Sequence, residues 1–346
     1  MSRQYDVLIV GGGVIGAACA DHLAGEGHRV ALFERGPLAR EASWAAPGIV
    51  HPVHPWKYAE PLPSIFKVAM RAHPPLVEDL IARTGIDPEL RRIGLVVRGG
   101  AADRIESWWN GEVPVERLHP GPAILLPEAC AIRPPRFTRA LFEGARRRGA
   151  ELFDHTEVRA VEPGRVRTDR GEFEAPQVVL AAGAWSGRLR DEAPTVPVRG
   201  QVLLFEGELD HMTIYETGDY AVPRPDGQVL FGATLERAGF DARPDEAGFE
   251  LLARRAAEWA GLDRRRIRAA WSGLRPGTPS DLPYICAHDG LVYATGHYRA
   301  GFILAPLTAR LVGDLVADRV PEFDFPLPSS GRFLKEIPAD APGKLP

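Results

Sequence analysis

The chain has 346 residues, of which 45% are hydrophobic and 25% charged, with a formal net charge of -4 and a pI near 6.2. These values are typical of a soluble globular protein with one large or two ordinary domains, and they exclude the disordered and fibrous classes. The weak negative charge gives no reason to expect a nucleic acid partner. The arginine runs at 146–148 and 264–266 are expected on solvated helix faces.

The chain begins with a β-α-β pattern. The apolar run DVLIV at 6–10 predicts a buried parallel strand, and GGGVIG predicts a tight turn after it. The small residues from Val14 to about Ala24 predict a helix, and HRVALFE predicts the next strand. Together these segments form one complete β-α-β unit.

The following part of the chain predicts further helices and one more buried strand. Residues 64–84 predict a helix that is interrupted near Pro74-Pro75. Residues 137–149 predict a helix that leads into a strand, and QVVLAAGAWS at 177–186 predicts a buried strand running into a turn of small residues.

The pattern changes to short alternating strands between residues 197 and 235. Asp226-Gly227 marks a hairpin in this region. A helix at about 246–260, a strand at 291–296 and a last helix over 303–319 follow. The stretch WSGLRPGTPSD at 271–281 predicts a bent, stiffened loop that presents Arg275, because prolines and glycines alternate in it.

Parallel-sheet segments at the start, near 177 and near 291, with antiparallel material between them, predict a discontinuous nucleotide-binding domain with a second domain inserted into it. The ranges 1–85, 138–195 and 285–330 are assigned to the nucleotide-binding domain, and 86–137 and 196–284 to the substrate-binding domain. Residues 331–346 are assigned to an extended or disordered tail.

The glycine turn has the spacing of a dinucleotide-binding motif. Gly11, Gly13 and Gly16 fit G-x-G-x-x-G, follow a strand and open a helix, and Glu34 closes the next strand. Gly11 permits the turn, Gly13 lets the backbone approach a pyrophosphate, and Gly16 lets helix and strand pack closely. Glu34 suits the ribose of NAD and of FAD alike.

Two later segments favour FAD over NAD. AAGAWS places the small residues Ala182 and Gly183 at a strand end, where a dinucleotide can pass. GHYRAGFILAP places Gly296 and Arg299 at the start of a long helix. A helix N-terminus stabilises the negative charge that a flavin ring gains on reduction, and a nicotinamide gains no such charge.

These segments together resemble the D-amino acid oxidase superfamily of FAD proteins, and most closely its glycine oxidase branch. The resemblance runs from about residue 5 to 320 and is carried by DVLIVGGGVIG, ASWAAPGI, RGQVLLF, YAVPRPDGQVLFGATLE, WSGLRPGTPSDLPYI and ATGHYRAGFILAPLTA. It implies an α/β fold: a Rossmann-like FAD-binding domain with an inserted α+β substrate domain built on a mostly antiparallel sheet.

The resemblance also implies the positions of site residues. FAD contacts are implied in the glycine turn, the loop after the second strand, one later strand and the start of the last helix: Val14, Ile15, Glu34, Arg35, Ala42, Ser43, Pro47, Gly48, Ile49, Val158, His297, Tyr298, Arg299, Ala300, Gly301, Phe302 and Ile303. Substrate contacts are implied for Arg275, which holds the carboxylate, and for Arg299, Tyr220, Tyr215, Leu235 and Ile49 around it.

The chemistry of Arg275 agrees with this role. A guanidinium binds a planar carboxylate through two parallel hydrogen bonds, which lysine cannot do. A buried arginine without a partner is costly, so a ligand anion is its natural complement. An internal salt bridge, for instance with Asp281, is the alternative at this point.

The resulting hypothesis is FAD-dependent oxidative deamination of glycine, sarcosine or a D-amino acid. Hydride transfer from Cα to flavin N5 gives an imino acid, which hydrolyses to an oxo acid and ammonia, and dioxygen is reduced to hydrogen peroxide. Three alternatives stay open: a dehydrogenase of the same fold that uses a quinone or another carrier, a sarcosine-type N-methyl amino acid oxidase, and a flavin-binding module acting on RNA.

The cysteines and histidines complete these expectations. The three cysteines lie far apart, which excludes a disulfide framework and favours a reducing compartment, the cytoplasm. Cys286 does not have the expected spacing for a covalent flavin link, so non-covalent FAD is expected. His51 and His54, in HPVHP, are expected to be loop histidines rather than metal ligands or a base, and no metal site is expected. Besides substrate and dioxygen, a homo-oligomeric partner is possible, and no membrane partner is expected.

Overall fold

The computed structural model describes residues 5–58, 60–215 and 217–328. The predicted tail, 331–346, lies outside this range. In chain order the strands are β1 (Val7–Val10), β2 (Val30–Phe33), β3 (Ile49–Val50), β4 (Arg91–Arg92), β5 (Leu95–Arg98), β6 (Glu116–Leu118), β7 (Ala123–Leu126), β8 (Cys130–Ala131), β9 (Glu151–Phe153), β10 (Val158–Glu162), β11 (Arg165–Thr168), β12 (Gly171–Glu174), β13 (Gln177–Leu180), β14 (Val196–Glu206), β15 (Met212–Ile214), β16 (Tyr220–Arg224), β17 (Gln228–Gly232), β18 (Ile267–Gly277), β19 (Tyr284–His288) and β20 (Leu291–Thr295).

The helices cover the remaining regular segments. In chain order they are α1 (Val14–Gly25), α2 (Ala42–Ala45), α3 (Leu62–Arg71), α4 (His73–Thr84), α5 (Ala101–Trp109), α6 (Pro134–Arg147), α7 (Ser186–Leu189), α8 (Glu246–Ala260) and α9 (Gly301–Val316), with short 3-10 turns at Pro55–Lys57, Gly183–Trp185 and Arg264–Arg266.

A six-stranded sheet carries the N-terminal β-α-β unit. Its strand order is β19-β20-β13-β1-β2-β9, and all neighbours are parallel except β19 and β20. Both faces of β1 are buried, as the unbroken apolar run predicts. Val7 and Ile9 pack with the core formed by α1, α6 and α9, and Leu8 and Val10 pack toward the three-stranded sheet β10-β11-β12.

An eight-stranded sheet forms the second half of the fold. Its order is β18-β14-β17-β16-β15-β5-β7-β6, and it is antiparallel except for the β15–β5 pair. Helix α8 covers one face, and α5 and part of the segment 49–56 cover the other. A small antiparallel sheet, β3-β8-β4, contains the strand β3 that begins this segment. The α/β fold with a mostly antiparallel second sheet is therefore confirmed.

Most predicted elements are present, with shifted ends. The helix predicted over 64–84 is two helices that separate at Ala72, and Pro74 lies in the first turn of α4, where a missing N–H costs nothing. The helix predicted at 137–149 begins three residues earlier, at Pro134. The hairpin at Asp226-Gly227 joins β16 and β17 as predicted.

The loop predicted at 271–281 is the one clear error. Residues up to Gly277 belong to the long strand β18, which pairs with β14 over its whole length, and Pro276 lies opposite Pro197. Proline is tolerated here because β18 is the edge strand of its sheet, where one side of the backbone needs no ladder partner. Only residues after Gly277 form a turn.

The strands of the six-stranded and eight-stranded sheets fall largely into the ranges that the sequence assigns to the two domains, whose boundaries stay a prediction. Within the described residues, no helix combines the length and apolar character that a membrane span requires.

Candidate active site

A cavity of about 830 Å³ lies where the carboxyl ends of the parallel strands meet the eight-stranded sheet. Val10 of β1, Phe33 of β2 and Thr295 of β20 line one side, and Tyr220 of β16 and Arg275 of β18 line the other. Open α/β sheets bind ligands at the carboxyl ends of their strands. The topology therefore places this cavity where a ligand is expected.

The glycine turn gives the first part of the cavity its shape. Gly11 has φ +112°, and a Cβ atom there would lie 2.4 Å from the carbonyl oxygen of Ala181. A Cβ on Gly16 would lie 1.9 Å from the carbonyl oxygen of Gly11, so α1 presses directly on the turn. Gly11 and Gly13 line the cavity and Gly16 lies behind them, so the tight turn at Gly11 and the close packing at Gly16 are as predicted.

The start of α1 lies beside the cavity. The N–H of Val14 donates to Ser43 Oγ at 2.9 Å, and the first turn of the helix contains no acidic side chain. Glu34, at the end of β2, accepts hydrogen bonds from the N–H groups of Gly12 at 2.8 Å and Gly36 at 3.1 Å. Burial raises the pKa of Glu34, and these two hydrogen bonds oppose that shift.

Another part of the cavity lining combines apolar, aromatic and charged groups. Val158 and the small residues Ala182 and Gly183 line it, and the guanidinium of Arg35 lies 3.7 Å above the ring of Trp185. An aliphatic side chain, a flat aromatic ring and a stacked guanidinium suit a planar heterocycle.

The segment from β20 into α9 closes the cavity along its length. Gly296 has φ +76°, and a Cβ there would lie 2.4 Å from Thr278 Cγ2. Tyr298 also has a left-handed backbone, with φ +46°. The buried ring of His297 lies 3.0 Å, through Nε2, from Thr308 Oγ1, and burial lowers the pKa of His297 to about 3. The N-terminus of α9 therefore meets the cavity beside a neutral histidine.

These features fit an extended dinucleotide such as FAD. A turn in which side chains do not fit, free space beside helix amides and a carboxylate at the second strand together form a cradle for a phosphate-linked ligand. The predicted cofactor residues that line the cavity are Gly11, Gly13, Val14, Ile15, Glu34, Arg35, Ala42, Ser43, Pro47, Gly48, Ile49, Val158, Ala182, Gly183, Gly296, His297, Tyr298, Arg299, Ala300, Gly301, Phe302 and Ile303.

Arg275 projects into the cavity from β18. Its Nη1 lies 3.2 Å from the carbonyl oxygen of Thr234, and the Tyr220 side chain lies near enough to act on the pKa of the guanidinium. A Cβ on Gly200, in the adjacent strand, would lie 2.1 Å from Nη2 of Arg275. Gly200 thus makes the space that the guanidinium occupies. Burial, and then the charge of Arg299, lower the pKa of Arg275.

The Asp281 salt bridge considered from the sequence does not form. Across residues 5–58, 60–215 and 217–328, no carboxylate pairs with Arg275 within 4.0 Å. Asp281 lines the same cavity, and burial raises the pKa of its carboxyl group. Arg275 therefore has hydrogen-bond acceptors and a phenol around it but no counter-charge from the described chain.

The other predicted substrate residues divide into two groups. Ile49, Leu235 and Arg299 line the cavity, and Leu235 is 39% exposed at its mouth. Tyr215 does not line it: its ring packs against Phe231 at 6.1 Å and Trp259 at 5.8 Å. Ile214 lines the cavity, and the next side chain along an extended backbone points to the opposite face of the sheet. The position of Tyr215 therefore differs from the prediction.

The segment 51–58 contributes lining residues that sequence reasoning did not assign. His51, His54, Lys57 and Tyr58 all line the cavity. His51 and His54 are loop histidines, as predicted, but they are 4% and 8% exposed and none of their ring nitrogens has a partner in the described chain. Burial lowers their pKa values to about 3 and about 4, so both rings are neutral at pH 7. The alternation of histidine and proline in HPVHP marked this segment in the sequence. It did not indicate that the histidine rings face the cavity.

Comparisons with known proteins agree with this geometry. The sequence profile of the FAD dependent oxidoreductase (DAO) family matches residues 6–315. The chain is 39% identical to a glycine oxidase of Pseudomonas aeruginosa, over 94% of this chain and 99% of that protein. It is 37% identical to a glycine oxidase of Pseudomonas putida, over 94% and 97%.

A solved structure supports the same relationship. The crystal structure of glycine oxidase from Geobacillus kaustophilus superposes with a TM-score of 0.86 at 34% identity, covering 94% of this chain and 99% of that one. The sequence match, the fold and the dinucleotide cradle point to one conclusion: the chain belongs to the FAD dependent oxidoreductase (DAO) family, and its cofactor is FAD.

Proposed function

We propose that the protein catalyses the FAD-dependent oxidative deamination of a small amino acid, glycine, sarcosine or a D-amino acid, with dioxygen as the electron acceptor. The products are an oxo acid, ammonia or the corresponding amine, and hydrogen peroxide. The observation that carries the proposal is Arg275, a guanidinium inside the cofactor cavity without a carboxylate partner in the described chain. The glycine oxidases among its relatives support a small substrate.

A neighbouring arginine gives the contrast that makes Arg275 informative. Arg199, in β14, pairs with both Glu236 and Asp245, so its charge is compensated within the chain. Arg275, which lies on the paired strand, donates to the carbonyl oxygen of Thr234 and has the Tyr220 phenol nearby, with no carboxylate partner in the described chain. A buried guanidinium without counter-charge is unfavourable, and a substrate carboxylate removes that cost. This contrast supports a role for Arg275 in binding the substrate carboxylate.

The chain's own residues bind and orient the substrate. Arg275 and the Tyr220 hydroxyl hold the carboxylate, and Leu235 and Ile49 limit the space around the α-carbon. Arg299 contributes a second positive charge at the mouth. FAD, when bound, supplies a two-electron acceptor that dioxygen can regenerate. A substrate fixed by its carboxylate has its α-carbon in one orientation, which is the main contribution that protein residues make to such a reaction.

FAD attachment is non-covalent in this proposal. Cys19, Cys130 and Cys286 are absent from the residues that line the cavity, and Cys19 and Cys286 are buried elsewhere in the described chain. We also propose a reducing compartment, the cytoplasm, which the three free cysteines support. A homo-oligomer is compatible with the proposal and is not needed to complete the cavity.

A substrate screen tests the function directly. The purified yellow protein is mixed without oxygen with glycine, sarcosine and a panel of D-amino acids, and the flavin absorbance is followed. Bleaching by at least one small amino acid, with hydrogen peroxide formed when air is admitted, is expected. Bleaching without peroxide would indicate a dehydrogenase that uses another carrier. An FAD-loaded protein that none of these amino acids bleaches would overturn the proposal.

A further inference from the structure

The wall of the cavity formed by the segment 51–58 has polar groups that the proposed function leaves unused. His54 is 8% exposed, lines the cavity, and has no hydrogen-bond partner for Nδ1 or Nε2 among the described residues. Its ring stands edge-on to Trp56 at 5.3 Å, and its backbone is left-handed, with φ +53°. Burying an imidazole without a partner costs free energy, so a polar ligand group beside it is expected.

Two positive charges accompany His54 at the same wall. Lys57 and Arg299 are exposed at the cavity mouth, and neither has a carboxylate within 4.0 Å in the part of the chain that the structure describes. Lys67, by contrast, pairs with Glu112. Burial and the charge of Arg299 lower the pKa of Lys57, and burial followed by Lys57 and Arg299 lowers the pKa of His54. The three groups therefore form one positive, hydrogen-bonding cluster.

Other roles for this cluster fit the structure less well. A metal site is not supported, because no group of three or more potential ligands is arranged for one within residues 5–58, 60–215 and 217–328. Asp281 lines the cavity and feels the charge of Arg299, but it does not approach Lys57 or Arg299 closely enough to pair with either. The unmet requirement of the cluster is an anion.

We propose that Lys57, Arg299 and His54 bind a second anionic group of the substrate. The preferred substrates would then be small amino acids whose N-substituent or side chain ends in a carboxylate. This inference rests on the proposed function, in which Arg275 holds the first carboxylate of the same molecule. Both groups line one cavity, and the charge of Arg299 acts on the Arg275 guanidinium, so the cluster adjoins the site of the first carboxylate. Two positive side chains and a neutral N–H donor suit a carboxylate.

A binding measurement with substrate analogues tests the cluster without turnover. Diglycolate is an ether dicarboxylate that lacks the amine to be oxidised, and methoxyacetate matches one half of it with a single carboxylate. Calorimetric titration of the FAD-loaded protein should give a dissociation constant for diglycolate about tenfold lower, or better, than that for methoxyacetate. In Lys57→Met, this ratio should fall toward one.

Two further variants distinguish direct contact between Lys57 and the ligand from long-range electrostatic attraction. Lys57→Arg keeps the charge and should keep most of the ratio. Arg104→Met removes a nearby positive charge that acts on Lys57 but does not line the cavity, so the ratio should be unchanged. Equal affinities for the two analogues in the parent protein would overturn the proposal. So would a Lys57→Met variant that weakens both analogues equally, because that is the effect of long-range attraction alone.

Turnover measurements separate the second anion site from the proposed function. If iminodiacetate and sarcosine are both oxidised, their kcat/KM ratio should follow the binding ratio across the same variants. Oxidation of glycine or sarcosine with no preference for the diacid would reject the second site and leave the proposed function intact. Tight diglycolate binding without oxidation of any amino acid would reject the function and keep the anion site.

Discussion

Arg275 occupies its place because of a residue that has no side chain. In the antiparallel pair β14–β18, Arg275 lies opposite Val198, and Gly200 is its diagonal neighbour on the same face. Any larger residue at 200 would overlap the guanidinium. The position of a charged group in the cavity is thus determined by a missing methyl group on the next strand.

Replacing Arg275 should remove carboxylate recognition. In Arg275→Met the aliphatic stem remains and the guanidinium is lost, so the substrate carboxylate keeps only Tyr220. Truncating one partner of a buried charge pair typically costs about 2 kcal/mol or more, which corresponds to roughly a 30-fold or greater loss in kcat/KM. Steady-state rates of peroxide production give kcat/KM. Arg268→Met, an exposed arginine of the same strand, is the control. Near-normal kcat/KM in Arg275→Met would contradict the assignment.

Adding one methyl group at position 200 should disturb the same recognition indirectly. The new Cβ in Gly200→Ala would displace the flexible end of Arg275, because it would otherwise lie 2.1 Å from Nη2. We expect kcat/KM to fall about tenfold to a hundredfold, since small misplacements of a binding group are costly. Flavin content should be retained.

The matched control is Gly207→Ala. There the added Cβ would meet Leu262 Cδ2 at 3.4 Å, which a side chain accommodates. Equal kinetics in the two alanine variants would show that the space beside Arg275 is not needed.

At the scale of elements, the turn between β1 and α1 combines two requirements. The helix α1 must pack closely against the turn that follows β1, and the turn and the start of α1 must lie beside the cavity. Gly16 satisfies the first and Gly11 with Gly13 the second. The cofactor cradle and the packing of the N-terminal unit therefore depend on the same short sequence.

A side chain between α1 and the turn should weaken both FAD binding and the packing of the N-terminal β-α-β unit. In Gly16→Ala the new Cβ would lie 1.9 Å from a backbone oxygen, which cannot move like a side chain. We expect the free energy of unfolding to fall by about 1–3 kcal/mol or more, with loss of bound FAD. Thermal unfolding and the flavin-to-protein absorbance ratio measure the two effects.

Gly36→Ala serves as the control for that change. A Cβ there meets no atom within 4 Å, although the residue adjoins Glu34. If Gly16→Ala kept the melting temperature and flavin content of this control, tight packing of the turn would not be the reason for the glycine.

Elements of strong local pattern could be predicted from the sequence, whereas those defined by distant partners could not. The glycine turn and the apolar strand before it contain their own signals. β18 contains prolines and glycines that indicate a loop, and only its position at a sheet edge explains why it is a strand. The segment 51–58 lines the cavity only in the folded chain, so the roles proposed for His54 and Lys57 are not readable from sequence spacing. Tyr215 was expected in the substrate pocket, whereas its ring packs against Phe231 and Trp259.

At the scale of the whole molecule, the cavity brings buried histidines to the junction of the two large sheets. His51, His54 and His297 line it, and His73 is fully buried against α9, with Nε2 3.2 Å from the carbonyl oxygen of Ile303. Burial lowers the pKa of His73 to about 4. Each of these rings is neutral in the native protein and takes up a proton in the unfolded chain below about pH 6.5.

This difference predicts a loss of stability on mild acidification. The unfolded state binds more protons than the native state between about pH 6.5 and pH 4, so the free energy of unfolding falls as pH falls through this window. The contribution is about 1 kcal/mol for one such histidine near pH 5.5. Buried carboxyl groups with raised pKa values, such as Asp281, act in the opposite direction, so a single-residue comparison is needed.

His73→Leu provides that comparison. Denaturant unfolding at about pH 7 and about pH 5.5 should show a stability difference smaller by about 1 kcal/mol than in the parent protein. His288→Leu, at an exposed position, controls for the loss of a histidine as such. An unchanged pH dependence in His73→Leu would mean that this ring is not held neutral by the fold.

The pairing of β14 with β18 has a consequence for how the catalytic site tolerates change. Trp271, Gly273 and Arg275 share one face of β18, and a slip of one residue along β14 would turn all three toward α8. The register of the β14–β18 pair therefore determines the position of the Arg275 guanidinium. Mutations far along either strand, without any contact to the cavity, can then alter substrate recognition by weakening this pairing.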